Sequence, residues 1–258
     1  MFKPNLSKRS GLPIKLGKKG LFFGSSLNRA KATTRMYSGN EAFFNNKKLD
    51  KNQDLYYIYR NSCLKKDKPL FSRSGVRYDL TVITPGLVGR ETHRTIGHIH
   101  KNLSRTGRPP EIYQVIYGSA IFLIQNNTNH ELYAIYRSSG QKIIIPPDCG
   151  HITANASLKT PLVIANIFVD RNNASDYSFF KKTSGPAWYP IWNKGKLIFE
   201  RNPRQKKYYS LKKIKTYGKL PLDISKTAPL YEEFIKNPEK FLFLTEPKRF
   251  TSKLVHTF

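Results

Sequence analysis

The residues with chemistry to offer lie in Thr95-Ile96-Gly97-His98-Ile99-His100, in Glu111 on the next apolar run, and in His151. A strand puts alternate residues on one face, so a strand through this stretch would point His98 and His100 the same way. With Glu111 and His151 added, the set could form a metal site of three nitrogens and one oxygen. Neutral imidazoles and a carboxylate suit one divalent ion of the Fe, Mn, Ni, Co or Zn kind. Four protein ligands leave an octahedral ion two positions. Adjacent positions could chelate neighbouring oxygens, such as O1 and O2 of a sugar, polarising a carbonyl and stabilising an enediolate. A His-X-His pair alone is a weak signal. The other histidines need no part in it: His93 has the opposite strand parity to His98, His130 lies in a turn, and His256 in the tail.

Positioning these groups falls to a run of short strands. Asp54 to Arg60, Arg77 to Ile83, Thr92 to His100, Glu111 to Tyr117, Ala120 to Gln125 and Glu131 to Arg137 are rich in β-branched and aromatic residues. Gln141 to Ile145, Ile152 to Ala154, Leu162 to Val169 and Leu197 to Glu200 follow. Thr84-Pro85-Gly86, Gly118, Asn126 to Asn129 and Pro146-Pro147-Asp148 supply turns. Short strands so regularly spaced imply an all-β antiparallel sandwich or barrel. Ala228 to Lys236 reads as a helix with Pro229 in its first turn, and Asn237 to Lys240 as a short helix or turn. Three stretches result: a basic, turn-rich N-terminal arm at 1–50, a barrel at 51–204, and a basic C-terminal extension with short helices at 205–258.

At 258 residues and 39% hydrophobic content, the chain can bury one substantial core. No run is long and apolar enough to span a bilayer. Two cysteines, Cys63 and Cys149, build no disulfide framework, so a reducing compartment such as the cytoplasm is expected. The formal charge of +28 invites nucleic acid as a partner. The charge is spread from the arm to the tail, however, and a solvated basic surface that attracts anionic substrates is favoured over a nucleic-acid site. No acid precedes Glu41, as in an organellar transit peptide. Gly11, Pro13, Gly17, Gly20 and Gly24 break the amphipathic helix such a peptide needs, so an ordered arm lying on the domain is expected.

Thr81 to Glu91, Thr95 to His100, Pro110-Glu111-Ile112-Tyr113, Gly118 with Leu123-Ile124-Gln125, Pro146-Pro147, Gly150 to Asn155 and Asp176-Tyr177 together resemble the cupin-type glucose-6-phosphate isomerases of archaea and some bacteria. The likeness runs from about Tyr56 to Arg204. It implies a cupin double-stranded β-helix, or jelly roll, with the metal in its lumen and His98, His100, Glu111 and His151 as ligands. It also implies a sugar-phosphate substrate, isomerised between glucose 6-phosphate and fructose 6-phosphate in glycolysis and gluconeogenesis, and a homodimer. By matching position, Tyr56, Thr81, Thr95 and Gly97 would hold the phosphate, and Tyr177 would line the sugar site. Glu111 would move the proton between C1 and C2, with a metal-assisted hydride shift as the other route. The segment between His100 and Glu111, with Arg105 and Arg108, is longer than expected of such an enzyme. Ser175 and Phe168 stand where some relatives carry a histidine and a phosphate-binding tyrosine.

Two other readings use the same residues. A differently specific cupin, an epimerase or dioxygenase, could employ the same ligands, although the hydroxyls of Tyr56, Thr81 and Thr95 favour a phosphate. A basic structural or RNA-associated subunit would draw on the charge alone, and has no use for four convergent ligands.

Overall fold

The computed structural model describes residues 4–28, 31–45, 53–103, 107–171, 174–217 and 220–254. Arg105, His256 and the expected boundary at 50/51 lie outside the described residues.

Two sheets face each other across one apolar interior. The larger runs Lys142–Ile145, Glu111–Tyr117, Leu162–Val169, Val76–Ile83, Asp54–Tyr59, Thr33–Met36, antiparallel at every joint. The smaller runs Cys149–Asn155, Ser119–Asn126, Glu131–Ser138, Ser210–Ile214, with only the last joint parallel. Four antiparallel pairings nest inside one another. Val76–Ile83 pairs with Leu162–Val169. The 92–100 segment bridges to Cys149–Asn155. Glu111–Tyr117 pairs with Lys142–Ile145, and Ser119–Asn126 with Glu131–Ser138. A folded ribbon with this nesting is a jelly roll, the double-stranded β-helix of the cupin fold.

Strand alternation sorts the side chains. From Glu111–Tyr117, Tyr113 and Val115 face the lumen with Ile143, Ile145, Ile164 and Phe122. Ile112 and Ile116 face outward with Ile144, Val163, Ala165 and Ile167. That outer face is covered as well. Leu6, Leu12, Ile14 and Leu16 of the arm and Leu230, Tyr231, Phe234 and Phe243 of the extension join its cluster. Leu162–Val169 is therefore buried along its whole length, which is why it reads as a continuous apolar run.

The arm is more regular than its turn-rich sequence suggests. Ile14–Gly17 and Gly20–Phe23 form a hairpin, and Thr33–Met36 adds an edge strand to the larger sheet. Glycines and lysines mask these pairings in the sequence. Trp188–Asn193 and Ser210–Ile214 are further strands without a clear signal. The expected helix is present as Leu230–Lys236. The expected continuous strand from Thr92 to His100 is not. Glu91–Thr92 and Ile99–His100 are separate short strands, with single bridges at Arg94 and His98 between them. Gly97 takes φ +81° there, and a Cβ on it would lie 2.4 Å from Ile152 Cγ1. The break needs glycine, and β-ladder geometry cannot pass through it.

The extension is pinned by a buried ion pair. Lys142, wholly enclosed on its strand, sits 3.4 Å from Glu233 and donates to the carbonyls of Ala228, at 2.6 Å, and Ser225. Gln114 accepts from the Leu230 N–H at 2.8 Å. Removing one partner of a buried pair strands the other charge. Lys142→Met is expected to lower unfolding stability by about 3 kcal/mol or more in urea titration; a loss below about 1 kcal/mol would contradict this anchoring role.

His93 is buried beside Gly86, its Nδ1 2.7 Å from Thr84 Oγ1. Burial pushes its pKa down to about 4. The unfolded chain, with an ordinary histidine pKa near 6.5, then binds the extra proton between those values. The contribution of His93 is intact above about pH 6.5 and is lost as pH falls through about 4, amounting to roughly 2–3 kcal/mol. His93→Asn is expected to flatten the stability curve over that window relative to the unaltered chain. Parallel curves would refute the assignment.

Candidate metal centre

Three elements deliver the four residues of the site. His98 and His100 come from the interrupted segment, Glu111 from the first residue of Glu111–Tyr117, and His151 from Cys149–Asn155. His98 bridges to His151, with backbone N–H···O contacts of 3.3 and 2.9 Å in the two directions. Backbone bonds at His93, Thr95 and His98 tie the interrupted segment to Cys149–Asn155, and side chains reinforce it. Arg94, fully buried, donates to Glu91 Oε1 at 2.5 Å, to the Thr95 carbonyl at 3.0 Å and to the Phe43 carbonyl at 2.6 Å. Its guanidinium lies 4.3 Å from the Phe44 ring centroid. The arm thus braces the loop that carries the histidines.

One ligand atom from each of His98, His100, Glu111 and His151 lies within 4.8 Å of all the others. Glu111 Oε2 is 3.1 Å from His151 Nε2 and 3.3 Å from His100 Nε2. Neighbouring donors on an octahedral ion with bonds of about 2.1 Å stand about 3.0 Å apart, so this set can close on one ion with small adjustments. His100 Nδ1 lies 2.6 Å from the Pro109 carbonyl. A carbonyl only accepts, so Nδ1 carries the proton and Nε2 turns its lone pair to the centre. His100 Nε2 and Glu111 Oε2 are buried without a hydrogen-bond partner. Such atoms are costly to leave bare and are the donors a cation needs. On these grounds the residues fit one divalent ion.

Electrostatics keep the donors in ligand form. Burial by itself would raise the Glu111 carboxyl, but its contacts with His100 and His151 outweigh this and hold it far below the usual carboxylate range. Burial, reinforced by the neighbouring imidazoles, drives His98 well below an ordinary histidine. Burial also lowers His151, against the opposing pull of Glu111. The result is a carboxylate beside the neutral imidazoles of His98 and His151 near pH 7.

The cavity in front of this cluster is lined by Tyr56, Thr81, Thr95, Gly97, His98, Glu111, His151 and Tyr177, every site residue expected from the sequence except His100. His100 lies behind them, its ring 4.3 Å from Phe168. The Tyr177 ring stands 5.6 Å from His98. Tyr56 accepts from the Ile96 N–H at 3.4 Å, and Thr95 Oγ1 from the Thr153 N–H at 3.0 Å. Arg108 does not face the cavity; it donates to the His100 carbonyl at 2.8 Å and pairs with Asp148 at 3.0 Å. His93 and His130 stand apart from the cluster.

The cavity also holds residues that sequence reasoning passed over: Arg77, Asp79, Tyr113 and Asn166. The Tyr113 hydroxyl is 3.3 Å from His151 Nε2, and burial raises its pKa far above that of a free phenol. Arg77 pairs with Asp79 at 2.9 Å. Parity could have found three of them. Tyr113 lies two residues from Glu111, and Arg77 and Asp79 alternate with Thr81 on one face. Asn166 is the single polar residue in Leu162–Val169.

Comparison with known proteins follows the same residues. The glucose-6-phosphate isomerase (GPI) family model matches residues 28–208. Glucose-6-phosphate isomerases of Thermococcus litoralis and Pyrococcus furiosus are 25% and 27% identical over 184 residues, covering 69% of this chain and 90% of each relative. A solved oxalate oxidase in complex with the substrate analogue glycolate superimposes with a TM-score of 0.35 and 17% identity, over 45% of this chain and 52% of its own.

The geometry predicts one Co2+ bound per chain in equilibrium dialysis of metal-stripped protein. His100→Ala is expected to weaken that binding by more than about 100-fold. Unchanged affinity would remove His100 from the ligand set.

Proposed function

The chain belongs to the glucose-6-phosphate isomerase (GPI) family, and on that footing we propose that it interconverts glucose 6-phosphate and fructose 6-phosphate using one divalent ion held by His98, His100, Glu111 and His151. The observation that carries the reading is the convergence of those four donors in a lumen whose wall also bears the hydroxyls of Tyr56, Thr81 and Thr95. An aldose–ketose isomerase needs those two things: a charge-stabilising centre at C1–C2 and hydrogen-bond donors for a dianionic phosphate.

The ion would be Fe, Mn, Ni, Co or Zn, and when bound it would polarise the sugar carbonyl as a Lewis acid. Tyr56 is a phenol that burial raises to about 12, against the opposing Ile96 N–H, so at neutral pH it remains a donor for the phosphate. Thr95 Oγ1 already accepts from Thr153, which leaves its own proton for the phosphate beside Thr81 and the Gly97 backbone. Tyr177, its ring tilted against His98, would line the sugar. Glu111 enters the reaction ionised and would carry the proton between C1 and C2. Its basicity is low, so the transfer would rely on proximity to the substrate carbons more than on base strength. The basic surface would steer the phosphate inward. Cys63 and Cys149 are free and buried, in keeping with a reducing compartment such as the cytoplasm, where glycolysis and gluconeogenesis run.

A coupled fructose 6-phosphate assay tests the reading. Chelation is expected to abolish turnover and a divalent ion to restore it. His151→Ala is expected to lose both metal and turnover; a variant that kept full turnover would overturn the ligand assignment. Thr81→Val is expected to raise KM roughly tenfold with metal content unchanged. An unchanged KM would move the phosphate elsewhere.

A further inference from the structure

Asn166 is an anomaly of composition. It is the one polar residue in a strand, Leu162–Val169, that is buried from end to end. An amide in such a place is costly unless its hydrogen bonds are made. Its strand register sets it opposite Tyr113 and Asp79, on the lumen side. From there Nδ2 donates to Glu111 Oε1 at 2.6 Å. The other oxygen of the same carboxylate, Oε2, is the one that stands 3.1 and 3.3 Å from His151 and His100.

A carboxylate has two equivalent oxygens and a soft terminal torsion. Left alone, Glu111 could rotate, present both oxygens to the imidazoles, or swing toward Tyr113. The amide removes that freedom. We propose that Asn166 is a positioning residue: by holding Oε1 it makes Glu111 a one-oxygen ligand and turns Oε2 alone to the three imidazoles. The inference rests on the metal-centre reading but not on the identity of the sugar. His100 is fixed in a parallel way through Pro109, so the acidic and one of the imidazole donors each have a backing group.

The test is a double-mutant cycle read by metal affinity. Metal-stripped protein is titrated with Co2+, and the visible ligand-field bands are followed. Asn166→Ala is expected to weaken Co2+ by about 10- to 100-fold and to change the band pattern as the carboxylate is released. Asn166→Asp, which keeps the shape and removes the donor, is expected to weaken binding in the same direction. Against a Glu111→Ala background, Asn166→Ala is expected to have no further effect, because its route to the metal is gone. Thermal unfolding of each metal-free variant identifies those that fold, and Asn166→Asp serves if Asn166→Ala does not. Two results would overturn the proposal: Co2+ affinity and bands unchanged in the Asn166 variants, or an equal loss with and without Glu111. If the glucose 6-phosphate reading alone is wrong, the cycle still shows coupling while the sugar assay stays silent.

Discussion

A carboxylate and three imidazoles share the inside of a protein, at the back of a cavity. That is the constraint on which the structure turns. Burial penalises the charge on Glu111, and its contacts with His100 and His151 outweigh the penalty. The same burial lowers the pKa of His98 and of His151. The cluster therefore carries the charge of a buried carboxylate, with unpartnered donor atoms at His100 Nε2 and Glu111 Oε2. A divalent cation relieves both features at once.

Much of the remaining architecture keeps this arrangement in place. The jelly roll brings residues far apart in sequence to neighbouring strands, so that His98 bridges to His151. The segment that bears two of the candidate ligands cannot be an ordinary strand, because Gly97 turns it. Buried Arg94 reinforces the interrupted ladder by gripping Glu91, Thr95 and the arm at Phe43. On the far side of the larger sheet, arm and extension cover a second apolar face. The chain thus supports its site from both sides of the sheet: hydroxyls and ligands within, aliphatic and aromatic packing without.

How far the sequence discloses this depends on whether a feature is local. The strands around the lumen were legible because alternation and turn residues are short-range signals, and His-X-His with Glu111 and His151 stood out by donor type. The break at Gly97 was hidden because its cause is Ile152, more than fifty residues away. The hairpin in the arm was hidden because its buried positions, Ile14 and Leu16, alternate with lysine and glycine over only four residues. Tyr113, Arg77 and Asp79 were readable from parity and went unread. Asn166 announced itself only as an oddity in an apolar run; its partner could be known only from the register that sets its strand beside Glu111–Tyr117.

The family match covers most of the chain, and the site accounts for what such an enzyme must do with its own side chains. In the proposed reading Glu111, backed by Asn166, would be both ligand and proton carrier, and the hydroxyls of Tyr56, Thr81 and Thr95 would mark the anionic end. The most direct test of the central claim is X-ray absorption at the metal edge of the loaded protein. The account predicts three imidazole nitrogens and one carboxylate oxygen at about 2.0–2.2 Å around a single ion. A first shell with one imidazole or none, or an ion bound only by water and surface carboxylates, would contradict it.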